Sequence, residues 1–156
     1  MRLSDILTVD RILVDPEGGI VHEKADALRL LSDMLAPAVG VEQETIQRLL
    51  LDRERLQSTG IGDGVAIPHT ALDAAPGQAA ALLLCPRGVP FESIDGAPVS
   101  IVFGVVVPKR ATGEHLRTLA RISRLLRDAA TRARLVELGD AQAAFSLIQA
   151  QDATLR

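Results

Sequence analysis

A chain of 156 residues and 16.6 kDa has the length of one globular domain and leaves no room for a second of full size. Seventeen Lys and Arg against twenty Asp and Glu give a net charge of -3, which argues against general binding to nucleic acid or to an anionic membrane. Aromatic residues make up 2% of the chain, three Phe with neither Trp nor Tyr, so platforms for stacking bases or sugars are scarce.

The whole span 1–156 is expected to be a single domain with its core at about 5–150, since no internal repeat or low-complexity segment divides it. From Leu3 the chain reads as a short helical turn, then a strand at Arg11 to Val14, then a turn at Asp15-Pro16-Glu17-Gly18-Gly19. From Lys24, Ala25, Leu28, Leu31 and Leu35 recur at helical spacing, and Pro37 is the expected stop. A second helix is predicted from Glu42 to about Arg53. Ala79 to Cys85 and Val99 to Val107 are short, nearly continuous apolar runs bounded by Pro and Gly, the pattern of strands covered on both faces. The Val99 run is about half of the roughly 20 residues that a bilayer-crossing helix needs.

After Pro108 helical spacing returns, with Leu116, Leu119, Ile122 and Leu126 assigned to one face and Arg117, Arg121, Arg124 and Arg127 interleaved. Asp140 reads as the N-cap of a last helix. Helices, then strands, then helices around one sheet indicate a three-layer α/β or α+β domain, with the strand order left open by the pattern. The start Met1-Arg2-Leu3-Ser4-Asp5 has no apolar signal core, and the lone Cys85 permits neither an intrachain disulfide nor a metal cage built from cysteine pairs. A reducing cytoplasm is therefore expected, with no membrane insertion.

Chemistry concentrates in Arg53-Glu54-Arg55-Leu56-Gln57-Ser58-Thr59-Gly60-Ile61-Gly62-Asp63-Gly64-Val65-Ala66-Ile67-Pro68-His69. Three alternate glycines lead into a short strand that ends in Pro-His. Glycines tolerate positive φ and let backbone N–H groups approach an anion, so the loop could line a phosphate site. It is not the dinucleotide fingerprint, whose third glycine sits further on, nor the P-loop, because no Gly-Lys-Ser/Thr follows, and nucleotide binding is not supported. His69, fixed behind Pro68, carries an imidazole able to attack phosphorus at neutral pH, though spacing alone suits a histidine that merely caps a strand.

Arg53, the glycine-spaced loop, Ile67-Pro68-His69, Phe91 to Asp95, Val102 to Pro108 and Glu114-His115-Leu116 together resemble the enzyme IIA components of the bacterial phosphotransferase system, in the fructose/mannitol/nitrogen branch. Leu3-Ser4-Asp5-Ile6-Leu7, Val14 and the Ala25 to Leu35 helix are most similar to the nitrogen-regulatory subgroup. The resemblance covers nearly the whole chain. It implies a mixed five-stranded sheet flanked by helices, a phosphorylated His69, His115 beside it and Arg53 supporting the phosphoryl group. It also implies a cytoplasmic phosphocarrier that takes a phosphoryl group from an HPr-like phosphohistidine protein and regulates target proteins by its phosphorylation state, with no ATP site, cofactor or obligatory metal.

Each residue so marked also has a plainer reading. Arg53 could offset the negative pole of the second helix. His115, behind Thr112-Gly113-Glu114, could be an exposed helix histidine; as a phosphate-site donor it would be kept neutral by the helix start. Glu54 and Asp63 read as solvated, Cys85 as a buried thiol, and His22 as a solvent histidine without a role. The arginines after His115 read as a solvated face that could also receive an acidic partner protein. Gln57 stands where the family often has glycine. Three alternatives remain: a sugar-transport enzyme IIA that passes phosphate to a IIB domain for fructose or mannitol uptake, a metal-dependent hydrolase using His69, His115 and a carboxylate, and a purely structural adaptor.

Overall fold

Two strands apolar on both faces form the centre of the molecule. The computed structural model describes residues 1–155; Arg156, the last residue of the expected span, lies outside the described residues. In chain order the strands are β1 (Ile12–Val14), β2 (Gly60–Gly62), β3 (Val65–Ala66), β4 (His69–Leu72), β5 (Ala79–Val89) and β6 (Val99–Pro108). The helices are α1 (Lys24–Val39), α2 (Gln43–Leu56), α3 (Thr112–Leu125), α4 (Ala129–Leu138) and α5 (Ala141–Asp152), with 3-10 turns at Leu3–Asp5 and Val9–Arg11.

β5 and β6 pair antiparallel, with Ala79 opposite Val106 and Leu84 opposite Ile101. β1 joins the outer edge of β5 in parallel, Ile12 facing Leu82. On the outer edge of β6, β3 and β4 both run parallel to it, Val65 facing Ile101 and His69 facing Val105. The register is the same for both, so they occupy one strand position interrupted at Ile67-Pro68. β2 closes that side antiparallel to β3. Six strands thus fill five positions of a mixed sheet, the architecture expected from the resemblance.

Alternation along β5 explains the three layers. Ala79, Ala81, Leu83 and Cys85 face a core made with Leu28, Leu31 and Leu35 of α1 and Ile46 and Leu50 of α2. Ala80, Leu82 and Leu84 face the opposite core, with Ile122, Leu125 and Leu126 of α3, Leu135 of α4 and Ile148 of α5. Period-2 alternation sends every second side chain to each face, so a run apolar at every position fits only a sheet covered on both sides. Close packing reaches the backbone at Gly104 of β6, where a Cβ would lie 3.0 Å from both methyl carbons of Leu31.

Four local expectations are corrected. α1 passes Pro37 and ends at Gly40, whose positive φ of 69° allows its N–H to bond the Ala36 carbonyl. Pro37 sits in the last turns, where its missing N–H costs one hydrogen bond and the remaining turn still closes. Leu116 is 65% exposed rather than on the core face. Six residues separate it from Ile122, which at about 100° per residue places it about 120° away around α3. His69 opens β4 instead of ending a strand. The expected strands at Ala79 and Val99 reach Val89 and Pro108. Asp140 does cap the last helix, accepting a bond of 2.9 Å from the Ala143 N–H, and Asp128 caps α4 in the same manner.

Candidate functional site

The strand break at Pro68 places His69. Pro68 has no N–H to donate, but its carbonyl still accepts from Val105 at 2.9 Å, which keeps the register with β6 while the ladder is interrupted on one side only. His69 is half-buried, and its Nδ1 lies 2.8 Å from the Ile67 carbonyl oxygen. A carbonyl only accepts, so Nδ1 carries the proton and Nε2 keeps the lone pair. Burial pushes the His69 pKa below the ordinary histidine value, and the charges of Arg53 and His115 push the same way; the Ile67 carbonyl and Glu54 oppose them. A neutral imidazole at pH 7 follows.

His115, near the start of α3, meets His69 edge to face, with ring centroids 5.3 Å apart and planes at 64°. Its pKa is also lowered, by burial first and then by the Arg53 charge. The depression expected from the helix start is therefore present but has another origin. Arg53, in the last turn of α2, donates from Nη1 to the Gln57 carbonyl at 2.9 Å, which is its plain helix-end role, and its charge reaches both histidines. Gln57 has an extended backbone with φ of -170°, so its position makes no demand for glycine.

A cleft of about 330 Å³ opens over His69 and Arg53, lined among others by Ser58, Gly60, Ile94 and Leu119. A larger cleft of about 570 Å³ lies against Gln78, Glu114, Arg117 and Arg121 on another side of α3. No histidine is among its lining residues, and its Arg121 is already held by Asp152 at 2.5 Å, so the smaller cleft is the candidate site. The glycine loop lines that cleft with its N–H groups largely committed. The Thr59 N–H goes to Glu54, that of Gly60 to the Ser58 hydroxyl, and that of Asp63 to Asp95. Positive charge at the cleft comes from Arg53 rather than from a backbone cradle.

Glu54 overturns its solvated reading, being only 7% exposed. Its carboxylate accepts from the Thr59 N–H at 3.0 Å, from the Thr59 hydroxyl, and from Lys24 Nζ at 2.8 Å. Lys24 also sits 5.0 Å from the centre of the Phe91 ring and 3.3 Å from Glu92. Sequence reasoning missed this network because Lys24 lies thirty positions upstream, and a glutamate at a helix end normally faces water. Asp63 is exposed, as expected. His22 is largely exposed, with its Nδ1 3.8 Å from Asp26. Burial pushes the Cys85 thiol up to about 12, which suits a buried thiol and not a nucleophile. Among the described residues no group of three or more His, Cys, Asp or Glu side chains is placed to hold a metal ion, so the hydrolase alternative lacks its ligand set. No helix among those residues is long and apolar enough to cross a membrane.

The sheet order, with helices on both faces and a histidine cleft at one edge, defines a three-layer α/β protein. The chain belongs to the family described as phosphoenolpyruvate-dependent sugar phosphotransferase system, EIIA 2, whose model matches residues 5–151. It is therefore a phosphocarrier component of that system. It is 36% identical over 154 residues to a nitrogen regulatory protein of Bradyrhizobium diazoefficiens, covering 99% of each chain. With a nitrogen regulatory protein of Pseudomonas aeruginosa it shares 37% identity over 149 residues, 95% of each. The crystal structure of nitrogen regulatory protein IIA-Ntr from Neisseria meningitidis superposes with a TM-score of 0.86 at 28% identity, covering 94% of this chain and 98% of that one. The likeness to the nitrogen-regulatory subgroup, first read from the N-terminal third, thus extends along the chain.

Proposed function

We propose that this chain accepts a phosphoryl group on Nε2 of His69 from the phosphohistidine of an HPr-like carrier, and that its phosphorylation state regulates target proteins in the cytoplasm. The observation that carries the reading is the 2.8 Å bond from His69 Nδ1 to the Ile67 carbonyl. It fixes the tautomer before the donor arrives. In the transfer the Nε2 lone pair forms the new N–P bond as the donor's N–P bond breaks, and that electron pair returns to the donor imidazole. The proton stays on Nδ1, donated to the Ile67 carbonyl oxygen, which stabilises the positive charge taken up by the ring. His115, kept neutral, donates to a phosphoryl oxygen, and Arg53 turns from the Gln57 carbonyl to pair with the others. Positioning and charge stabilisation carry such a step, which consumes no nucleotide.

A protein donor suits the surroundings better than a small one. Leu56, Ile94, Leu116 and Ile61 are 82%, 73%, 65% and 44% exposed; Ile61 and Ile94 line the cleft, Leu116 follows His115, and Leu56 ends the helix that carries Arg53. Exposed apolar side chains grouped around a polar centre are the usual make-up of a protein docking surface.

The test is to incubate the protein with phosphoenolpyruvate, the matching enzyme I and its HPr-like carrier, and to map acid-labile phosphate by mass spectrometry. The parent chain is expected to carry the label on His69, and His69→Ala to carry none while keeping its far-UV circular dichroism. Full labelling of His69→Ala moves the acceptor elsewhere, with His115 first to be examined.

A further inference from the structure

Glu54 follows Arg53 on α2, so at about 100° per residue the two side chains diverge, one toward the cleft and one into the protein. Three donors converge on the inner one: the N–H and hydroxyl of Thr59 and the ammonium of Lys24. Thr59 is the last residue of the loop into β2, and Lys24 is the first residue of α1. The same loop is bound to the 91–95 segment, because the Ser58 hydroxyl donates to the Phe91 carbonyl at 2.7 Å and the Ile94 N–H donates to the Gly60 carbonyl at 3.2 Å. Lys24 also packs on that segment through Phe91 and Glu92.

One carboxylate thus joins the helix turn that carries Arg53 to the loop and, through Lys24, to the segment that supplies Ile94 to the cleft. A buried ion pair is a poor way to gain stability, since an apolar pair of similar volume often serves as well or better. What it does supply is geometry: three donors meeting one carboxylate leave a single arrangement of the elements that bear them.

We propose that Glu54, clamped by Lys24 and Thr59, is a positioning residue for phosphoryl acceptance, fixing Arg53 in register with the wall of the His69 cleft. This rests on the reading of His69 as the acceptor. Glu54 itself touches neither the phosphoryl group nor the reacting nitrogen. A second consequence follows from its charge, which reaches the histidine. Its negative charge favours the protonated imidazole, so removing the charge lowers the titration midpoint of His69.

The test compares Glu54→Gln, Glu54→Asp and Thr59→Val with the parent full-length chain. Two readouts are taken: single-turnover transfer from the phosphorylated HPr-like donor, whose saturating rate constant is taken as kcat and whose half-saturating donor concentration as KM, and NMR titration of His69 and His115 with no donor present. Glu54→Gln is expected to lower kcat by between about tenfold and a hundredfold, the scale of misplacing a reacting group by about an ångström. The KM for the donor stays within about twofold, since donor binding is untouched, and the His69 midpoint moves down. Glu54→Asp restores the midpoint but not kcat, because it keeps the charge and loses the reach. Thr59→Val, which preserves bulk, loses kcat in the same direction.

Parent-like kcat in a folded Glu54→Gln overturns the proposal. So does a kcat loss with an unmoved His69 midpoint, which assigns Glu54 to the fold at large. Should Glu54→Gln fail to fold, Thr59→Val decides: parent kcat there overturns the proposal, and a loss supports it. A parent chain that takes no phosphoryl group on His69 overturns the acceptor reading instead, and the titrations still report on Glu54.

Discussion

The two walls of the His69 cleft are built on different principles. On one side, α2 and the loop after it are pinned through buried ionic contacts: Glu54 to Thr59 and Lys24, then Lys24 to the Phe91 segment. On the other, the first turn of α3 starts at Ala111 with no side-chain cap, and Gly113, Glu114, Leu116 and Arg117 around His115 are exposed. α4 and α5, which hold no site residue, are both capped by aspartates. The wall that holds Arg53 is preorganised, whereas the wall that holds His115 begins, among the described residues, without the aspartate cap that α4 and α5 have. Low local stability is common where an element adjusts to a partner.

Breaking the pinned wall is expected to have the largest effect. In Gly60→Ala the new methyl would lie 2.4 Å from the Ser93 hydroxyl and 3.0 Å from its Cα, and backbone must move. A loss of about 1–3 kcal/mol in urea unfolding is expected, together with slower phosphoryl acceptance; a fully stable variant would mean that the loop is not held as described. Next comes Arg53. A lysine keeps the charge but not the planar fork, so Arg53→Lys and Arg53→Ala should both slow transfer roughly tenfold or more, as loss of about 1.4 kcal/mol in the transition state requires. In stability they should differ, Ala losing helix-end charge worth roughly 0.3 to 1 kcal/mol that Lys retains. Parent-rate transfer by Arg53→Lys leaves Arg53 with its helix-end role alone.

A pH series probes both walls together. His69 and His115 are both held below the ordinary value by burial, with Arg53 adding to it. The unfolded chain therefore binds protons first as the pH falls. Stability rises with pH through the window between the depressed folded values and about 6.5, and is lost on acidification through it. Urea midpoints from pH 5 to 7.5 should show this slope, and His115→Gln should flatten it; an unchanged slope removes His115 from the account. The smallest effect belongs to the looser wall. Gly113→Ala meets only the Arg117 guanidinium at 3.6 Å, an ordinary contact, and should raise stability by up to about 1 kcal/mol through helix propensity. Destabilisation there would show that the α3 start is as tightly fitted as the loop opposite.

The pinned wall was also the less legible one. His69, His115 and Arg53 lie in a motif long enough to be recognised, and the apolar runs at β5 and β6 announced a sheet covered on both faces. The role of Glu54 depends on Lys24, which approaches only after α1 packs beside α2, and no local pattern records that meeting. Leu116 was misplaced because leucines were grouped without following the helical angle through six residues. Strand order escaped for a related reason: β1 and β5 pair across seventy positions, and the apolar pattern that makes each a strand says nothing about its neighbour. Pro37 showed that a residue which blocks a helix interior is tolerated near its end, where few bonds remain to be broken.

Asp152, at the end of α5, is 1% exposed and accepts the Leu3 N–H at 2.7 Å while holding Arg121. The polypeptide path therefore returns to where it began: residues 3 and 152 stand within one side chain of each other. Topologically the fold between them is a ring that the packing of α5 on the first turns nearly closes. A short linker could close that gap without spanning the sheet, and new ends could then be cut at an exposed turn with the strand neighbours unchanged. For the same reason, chain attached at either end would depart from a shared corner, and two tethers would hold the body from one point instead of stretching it between two.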